Sequence, residues 1–207
     1  PAAEFFCIIA AVRSVTVSLW ATAGFIAVAA VALAYSLHIT FHEVVHRRFF
    51  RHPVTKWLSE SAITALLGTP FNEYRQSHWR HHRHTNLLED SISTWKATPQ
   101  GPKPRNFLAY ALGWPSMGPR SFRQLLLDLR ETNHNREILR HVIAELVFIG
   151  LIHAALLLYD PALWLIYSAV IYLGWTCIAA VNYLQHPPVE YGSGYTTSLY
   201  SPTYNLM

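Results

Sequence analysis

Cysteine is almost absent from this sequence: Cys7 and Cys177 are the only two. Both lie in apolar stretches, so a disulfide framework and a cysteine-rich metal site are excluded, and the pair reads as packing residues. Charge is scarce too, with 14% Asp, Glu, Lys and Arg against 52% hydrophobic residues in 207. That balance excludes an ordinary soluble domain. We find no motif for a flavin, a haem or an iron–sulfur cluster, no secretory signal peptide, no internal repeat and no low-complexity tract. No segment shows convincing strand alternation, so the chain reads as all-α and as one domain over residues 1–207. The opening Pro1 and the short apolar "EFFCIIAAV" read as the tail of a helix, and the chain as a fragment cut at both ends.

Long uncharged runs take the place of charge. Residues 15–38 contain no Asp, Glu, Lys or Arg, and at 1.5 Å per residue they are long enough to cross a hydrocarbon core of about 30 Å. Residues 161–183 form a second uncharged run of spanning length; residues 142–159 form a third, with Glu145 near its start and His153 inside. Asp160-Pro161 between them predicts a tight helical hairpin. Of the 16 Lys and Arg residues, 15 lie between Arg47 and Arg140. Positive charge beside membrane helices favours the cytoplasm, so residues 42–140 are expected to be cytoplasmic or interfacial, with the hairpin crossing out and back.

Within that segment "KWLSESAITALLGTPF" is too short to cross and reads as an interfacial or re-entrant helix. "TPQGPKPRNF", with three prolines, reads as a loop. "SFRQLLLDLRETNHNREILRHV" reads as an amphipathic helix feeding the hairpin.

The twelve histidines are distributed in groups. His42 and His46 stand at i and i+4, on one face of a helix leaving the first span, and His38 one turn earlier shares that face. "SHWRHHRH" puts His78, His81 and His82 at i, i+3 and i+4, and "NYLQH" puts Asn182 and His186 at i and i+4, at the same membrane surface. Each has a plainer explanation alone. A lone His pair is incidental more often than not, the basic run suits a solvated face or a phosphate-contacting patch, and His186 suits a helix-end cap. Three groups converging at one membrane depth point instead to a metal site. Imidazole-rich, carboxylate-poor sets suit iron, copper, zinc or nickel. So many histidines exceed the needs of one tetrahedral zinc, and two metals fit better. His52, His134 and His141 read as surface or interfacial residues, and His153 as a packing residue within the membrane.

"HEVVH", His42 to His46, is also the zinc-peptidase pattern, with His52 where one peptidase group places a third ligand. That group needs a glycine where this chain has Phe49, and the reading leaves the other histidines unexplained. It is kept as a remote alternative.

Taken together, His42-x-x-x-His46, His78-x-x-His81-His82 and Asn182-x-x-x-His186 resemble the histidine boxes of the integral-membrane fatty acid desaturases and their hydroxylase relatives. "HWRHHRHTN" followed by Glu89-Asp90 is especially similar to the second box of bacterial members. The resemblance implies a membrane helical bundle with a cytoplasmic helical cap and two Fe ions at its cytoplasmic mouth. It makes His42, His46, His78, His81, His82 and His186 iron ligands and has Asn182 act through a bound water. Glu43 would orient an imidazole through its free N–H, with His84 and His38 as further supporting residues. The family's third box, His-x-x-His-His, is absent; "YSPTYNLM" resembles its approach, and the box is expected just beyond Met207.

The implied activity is dioxygen-dependent removal of hydrogen from an unactivated C–H bond of a membrane lipid or acyl chain. A hydroxylase or ketolase of alkanes or carotenoids is the runner-up, and a membrane metal-binding protein without catalysis the non-enzyme alternative. The acyl tail would lie in an apolar tunnel ending near the metals. Trp20, Tyr35, Trp79 and Trp175 could line it, but aromatics on membrane helices are more often core or interface anchors, and none is assigned to the tunnel. Electrons would come from a ferredoxin or cytochrome b5-type donor on the basic face; no nucleic-acid partner is expected.

Overall fold

The structure, a computed structural model, describes residues 18–47, 49–128 and 133–192, without the side chains of His38, Asp128 and residues 133–135. Expectations for residues 15–17, Cys7, the "EFFCIIAAV" segment, the His134 side chain and "YSPTYNLM" lie outside the described residues.

Helix α1 (Leu19–Ser36) starts at Ser18, whose hydroxyl accepts from the Ala21 N–H. It continues through a π turn (Leu37–Phe41) into the short α2 (His42–His46). Every fourth residue of this rod from Ala29 to Val45 is buried: Ala29, Leu33, Leu37, Phe41, Val45. Helix α3 (Pro53–Leu67) begins at His52, whose Nδ1 accepts from the Val54 N–H, and ends at Gly68, which has φ +62°. A Cβ at Gly68 would also meet Ile171 Cδ1 at 2.5 Å, so this tight stop needs glycine on two counts.

Helix α4 (Phe71–Arg83) carries the second histidine group. After it comes a short antiparallel hairpin, β1 (Trp95–Thr98) and β2 (Gly101–Pro104), with Trp95 opposite Pro104 and Thr98 opposite Gly101. This corrects the loop expected at "TPQGPKPRNF". Prolines remove the strand pattern from the sequence, yet a two-stranded ribbon consists of edges, where a missing N–H is tolerated.

Helices α5 (Phe107–Leu112) and α6 (Met117–Asp128) follow, then the hairpin of α7 (Asn133–Tyr159) and α8 (Pro161–Gln185). Asp160 caps α8 by accepting from the Ala162 N–H at 2.8 Å, with Pro161 in the first turn, at the point where the sequence predicts a hairpin.

Leu19–His46, Arg136–Tyr159 and Pro161–Gln185 are long and apolar enough to cross a membrane by length and composition. The chain is a mostly helical membrane protein. Between lipid-immersed helices apolar burial adds little, and close packing has to supply the contact. Accordingly α1 and α8 meet where Gly174 faces Leu33; a Cβ there would stand 2.7 Å from Leu33 Cδ2.

The end of α3 is tied to α8 by polar contacts. Tyr167 donates to the Ala65 carbonyl and Trp175 Nε1 to the Leu67 carbonyl at 2.8 Å, satisfying acceptors that a helix end leaves open. Helix α7 is tied by Glu145, whose carboxylate accepts from the Asn72 N–H (3.0 Å), Asn72 Nδ2 (2.8 Å) and the Thr64 hydroxyl (3.3 Å). His153, expected to be a packing residue, accepts from Trp164 Nε1 across the hairpin at 3.0 Å.

Candidate metal centre

Four histidines converge from two helices. His42 and His46 of α2 and His78 and His82 of α4 each offer a ring nitrogen, and these four atoms all lie within 4.8 Å of one another. His46 Nε2 is 3.0 Å from His78 Nε2, which is 2.9 Å from His82 Nε2. With metal–nitrogen distances of about 2.1 Å, nitrogens on one ion stand about 3–4 Å apart. The set therefore fits one ion with modest contraction. Burial, and then the imidazoles of His42, His82, His81 and His46, push His78 down to about 2; burial lowers His82 as well. Both rings are held neutral, the form that ligates.

The second group does not act as one face. His81 turns away from His78 and His82 and meets His186, with the two Nε2 atoms 3.2 Å apart. Helical geometry allows this: at 3.6 residues per turn, positions 81 and 82 diverge by about 100° and lie on opposite flanks of position 78. The His81–His186 pair belongs to no larger ligand group among the described residues. His186 is the C-cap residue of α8, its backbone N–H donating to the Asn182 carbonyl while its ring meets His81. Burial and His81, opposed by Asp90, push it down to about 4. Its Nδ1 is buried without a partner.

The sequence reading missed what holds this pair. Asp90, fully inside, takes the His81 Nδ1 at 2.8 Å through one carboxylate oxygen, which also accepts from the Asn86 N–H; the other oxygen accepts from the Ile92 N–H. Asn86 sits at φ 63° and gathers the loop. Its Oδ1 accepts from the Thr94 N–H at 2.9 Å, and its Nδ2 donates to the His186 carbonyl, as does the Thr94 hydroxyl. The signals were "TN" after the histidines and Glu89-Asp90, too common to single out alone.

Other expected residues fall elsewhere. Glu43, expected to orient an imidazole, has one carboxylate oxygen held by Arg47 at 2.8 Å, because the i+4 cation lies on its own face. His84 lies at the end of α4 in a surface pocket with Trp79, Arg80 and Arg83. The backbone of His38 lies in the π turn, which breaks the 3.6-residue register that would place it over His42; its side chain is outside the described set. The amide nitrogen of Asn182 donates to the Tyr110 hydroxyl at 2.6 Å, leaving the carbonyl oxygen as the end that can reach a water. His52 caps α3 through Nδ1 and is not in the histidine cluster around His42 and His46, so among the described residues it does not supply the third ligand of the peptidase pattern.

Beside both groups lies a cavity of about 160 Å³ that reaches His78, His81 and Asn182 and is walled by Trp114, Met117 and Trp175. Of the four aromatics named from the sequence only Trp175 lines it. Trp20 is 89% exposed and Tyr35 53%, as helix surfaces facing lipid would be.

With this arrangement in view, the family comparison is decisive: the model of the family described as fatty acid desaturase matches residues 18–206. The chain belongs to the fatty acid desaturase family. No curated protein and no solved structure gives a match. As a desaturase-family member it is an oxidoreductase with a lipid substrate, and its clustered histidines are consistent with a metal site.

Proposed function

We propose that this desaturase-family chain removes hydrogen from an acyl chain of a membrane lipid, using two irons held by histidine. His42, His46, His78 and His82 would hold one iron; His81 and His186 would serve the other, with Asn182 acting through a water. When bound, the irons supply the dioxygen-dependent oxidising power that no side chain has. The observation that carries the reading is the division of the histidines into a group of four and a separate pair, both opening on one apolar cavity. The donor set fits: many imidazoles, few carboxylates, and an Asp90 carboxylate on the far nitrogen of His81.

The chain's own part is positional. The cavity holds the acyl tail, Trp114, Met117 and Trp175 keep water from it, and Asp90 fixes the tautomer and direction of the His81 ring. Electrons come from a ferredoxin or cytochrome b5-type donor on the cytoplasmic side, where the Lys and Arg residues are concentrated.

Elemental analysis of the purified protein tests the reading. The expected result is more than one iron per chain. His42→Ala or His46→Ala should remove one population, and His81→Ala or His186→Ala the other. One zinc per chain, lost with His42→Ala and indifferent to His81→Ala, would overturn it. Product analysis with acyl lipids then separates a double bond from an alcohol or a ketone.

A further inference from the structure

The cavity beside the histidines is apolar along most of its wall but not at the end remote from His81. Thr69, Glu73 and Ser121 line it there. Glu73 is in the first turn of α4 and His81 in the last, eight residues apart on one straight helix, which sets them about 12 Å apart along the axis. The polar groups of this end are incompletely satisfied. Ser121 donates to the Glu73 carboxylate, but Thr69 Oγ1 and Glu73 Oε1 are shut off from solvent with no hydrogen-bond partner. Buried polar atoms almost always have partners, and two orphans in one cavity wall point to a ligand that completes them.

We propose that Thr69, Glu73 and Ser121 hold an uncharged oxygen function of the substrate, a hydroxyl or an ester carbonyl, and thereby set which carbon lies beside His78 and His81. The inference rests on the reading of this cavity as the acyl site and adds the class of chain it accepts. Burial pushes the Glu73 carboxyl up to about 7, with Glu145 adding to the rise and Ser121 and Arg80 opposing it. Near neutral pH about half of this carboxyl is protonated and can donate as well as accept, as the Thr69 hydroxyl can. A hydroxyl or a carbonyl finds a complement in that pair. A carboxylate would be buried with no Lys or Arg among the lining residues to offset its charge, and a bare alkyl end would leave both orphans as they are. Discrimination of this kind, where a site built for an oxygen rejects the chain lacking it, exceeds what an apolar wall achieves.

Displacement of radiolabelled dodecanol from the purified protein in detergent tests this without iron or turnover. Methyl dodecanoate is expected to compete as well as dodecanol, with dodecane and dodecanoate at least tenfold weaker. Glu73→Leu combined with Thr69→Val should cut dodecanol binding about tenfold and leave dodecane binding intact, which also shows that the variant folds; Glu73→Gln, which still hydrogen-bonds, should keep the preference. Dodecane binding as tightly as dodecanol, or a preference that survives the double substitution, would overturn the inference and leave the polar end to water. Failure of the desaturase reading shows separately, in the metal content. Binding of none of the probes would remove the cavity as the acyl site, and the inference with it.

Discussion

Asp90 and Glu73 are acids that sequence spacing did not mark, and each has a distinct consequence. Asp90 accepts from His81 and from two backbone N–H groups at once, so Asp90→Ala frees the ring and unties the loop. Loss of such an orienting partner typically costs 10–100-fold in metal affinity. That loss is expected at the His81–His186 pair, with the four-histidine group retaining its ion in a metal titration. Glu73 makes stability depend on pH. Its carboxyl is raised from 4.5 to about 7, so between those values the folded chain keeps a proton that the unfolded chain has lost. Stability therefore falls as pH rises through that window and levels off above it, a loss of about 3 kcal/mol at full extent. Glu73→Gln should melt with the parent protein near pH 4.5 and above it at pH 8, and equal melting temperatures at both would refute the assignment. Glu145, inside a span, joins α7 to α3 and α4 through three hydrogen bonds. Glu145→Ala leaves the Asn72 donors buried and is expected to cost about 2–5 kcal/mol, read as a lower melting temperature.

Among the elements, the π turn has the clearest effect on the site. An uninterrupted α-helix through Leu37–Phe41 would carry His42 and His46 around by about 100° for the one residue the π turn absorbs. Deleting Ile39 is expected to restore that register, swing both imidazoles away from His78 and His82, and abolish binding at the four-histidine group; iron retained there would show that α2 is positioned by something else. Gly68 serves the other side. It stops α3 with φ +62° against Ile171, so Gly68→Ala meets both backbone strain and a clash. A loss of about 1–3 kcal/mol is expected, seen as a lower melting temperature in detergent. The histidine helix α4 was legible because i, i+3, i+4 spacing survives any fold. The β1–β2 hairpin was not, because its prolines erase the alternation by which strands are read.

For the whole molecule, positive charge and the second histidine group share one stretch of the chain. Fifteen of the sixteen Lys and Arg residues fall between Arg47 and Arg140, in the stretch that also carries α4. A donor reaching the metals from that side meets positive charge, and attraction between exposed charges is screened within about 8–10 Å at 0.1–0.15 M salt. Reduction of the protein by an acidic electron carrier should slow several-fold between low and high salt, while reduction by a small uncharged dye stays constant; equal salt dependence would count against docking on this face.

The sequence alone determined the candidate spans, the hairpin at Asp160-Pro161 and the helical grouping of the histidines, because each rests on local pattern: apolar runs, a turn signal, residues one helical turn apart. Tertiary structure alone decided how those histidines divide. That His81 meets His186 rather than His78 and His82 depends on where α8 ends and how the Asn86–Thr94 loop presents His186 and Asp90, contacts spanning up to 105 residues. It also decided that Glu43 belongs to Arg47, that His52 caps a helix, and that Glu73 faces a cavity. Spacing along a helix tells which side chains share a flank, but only packing supplies what that flank meets.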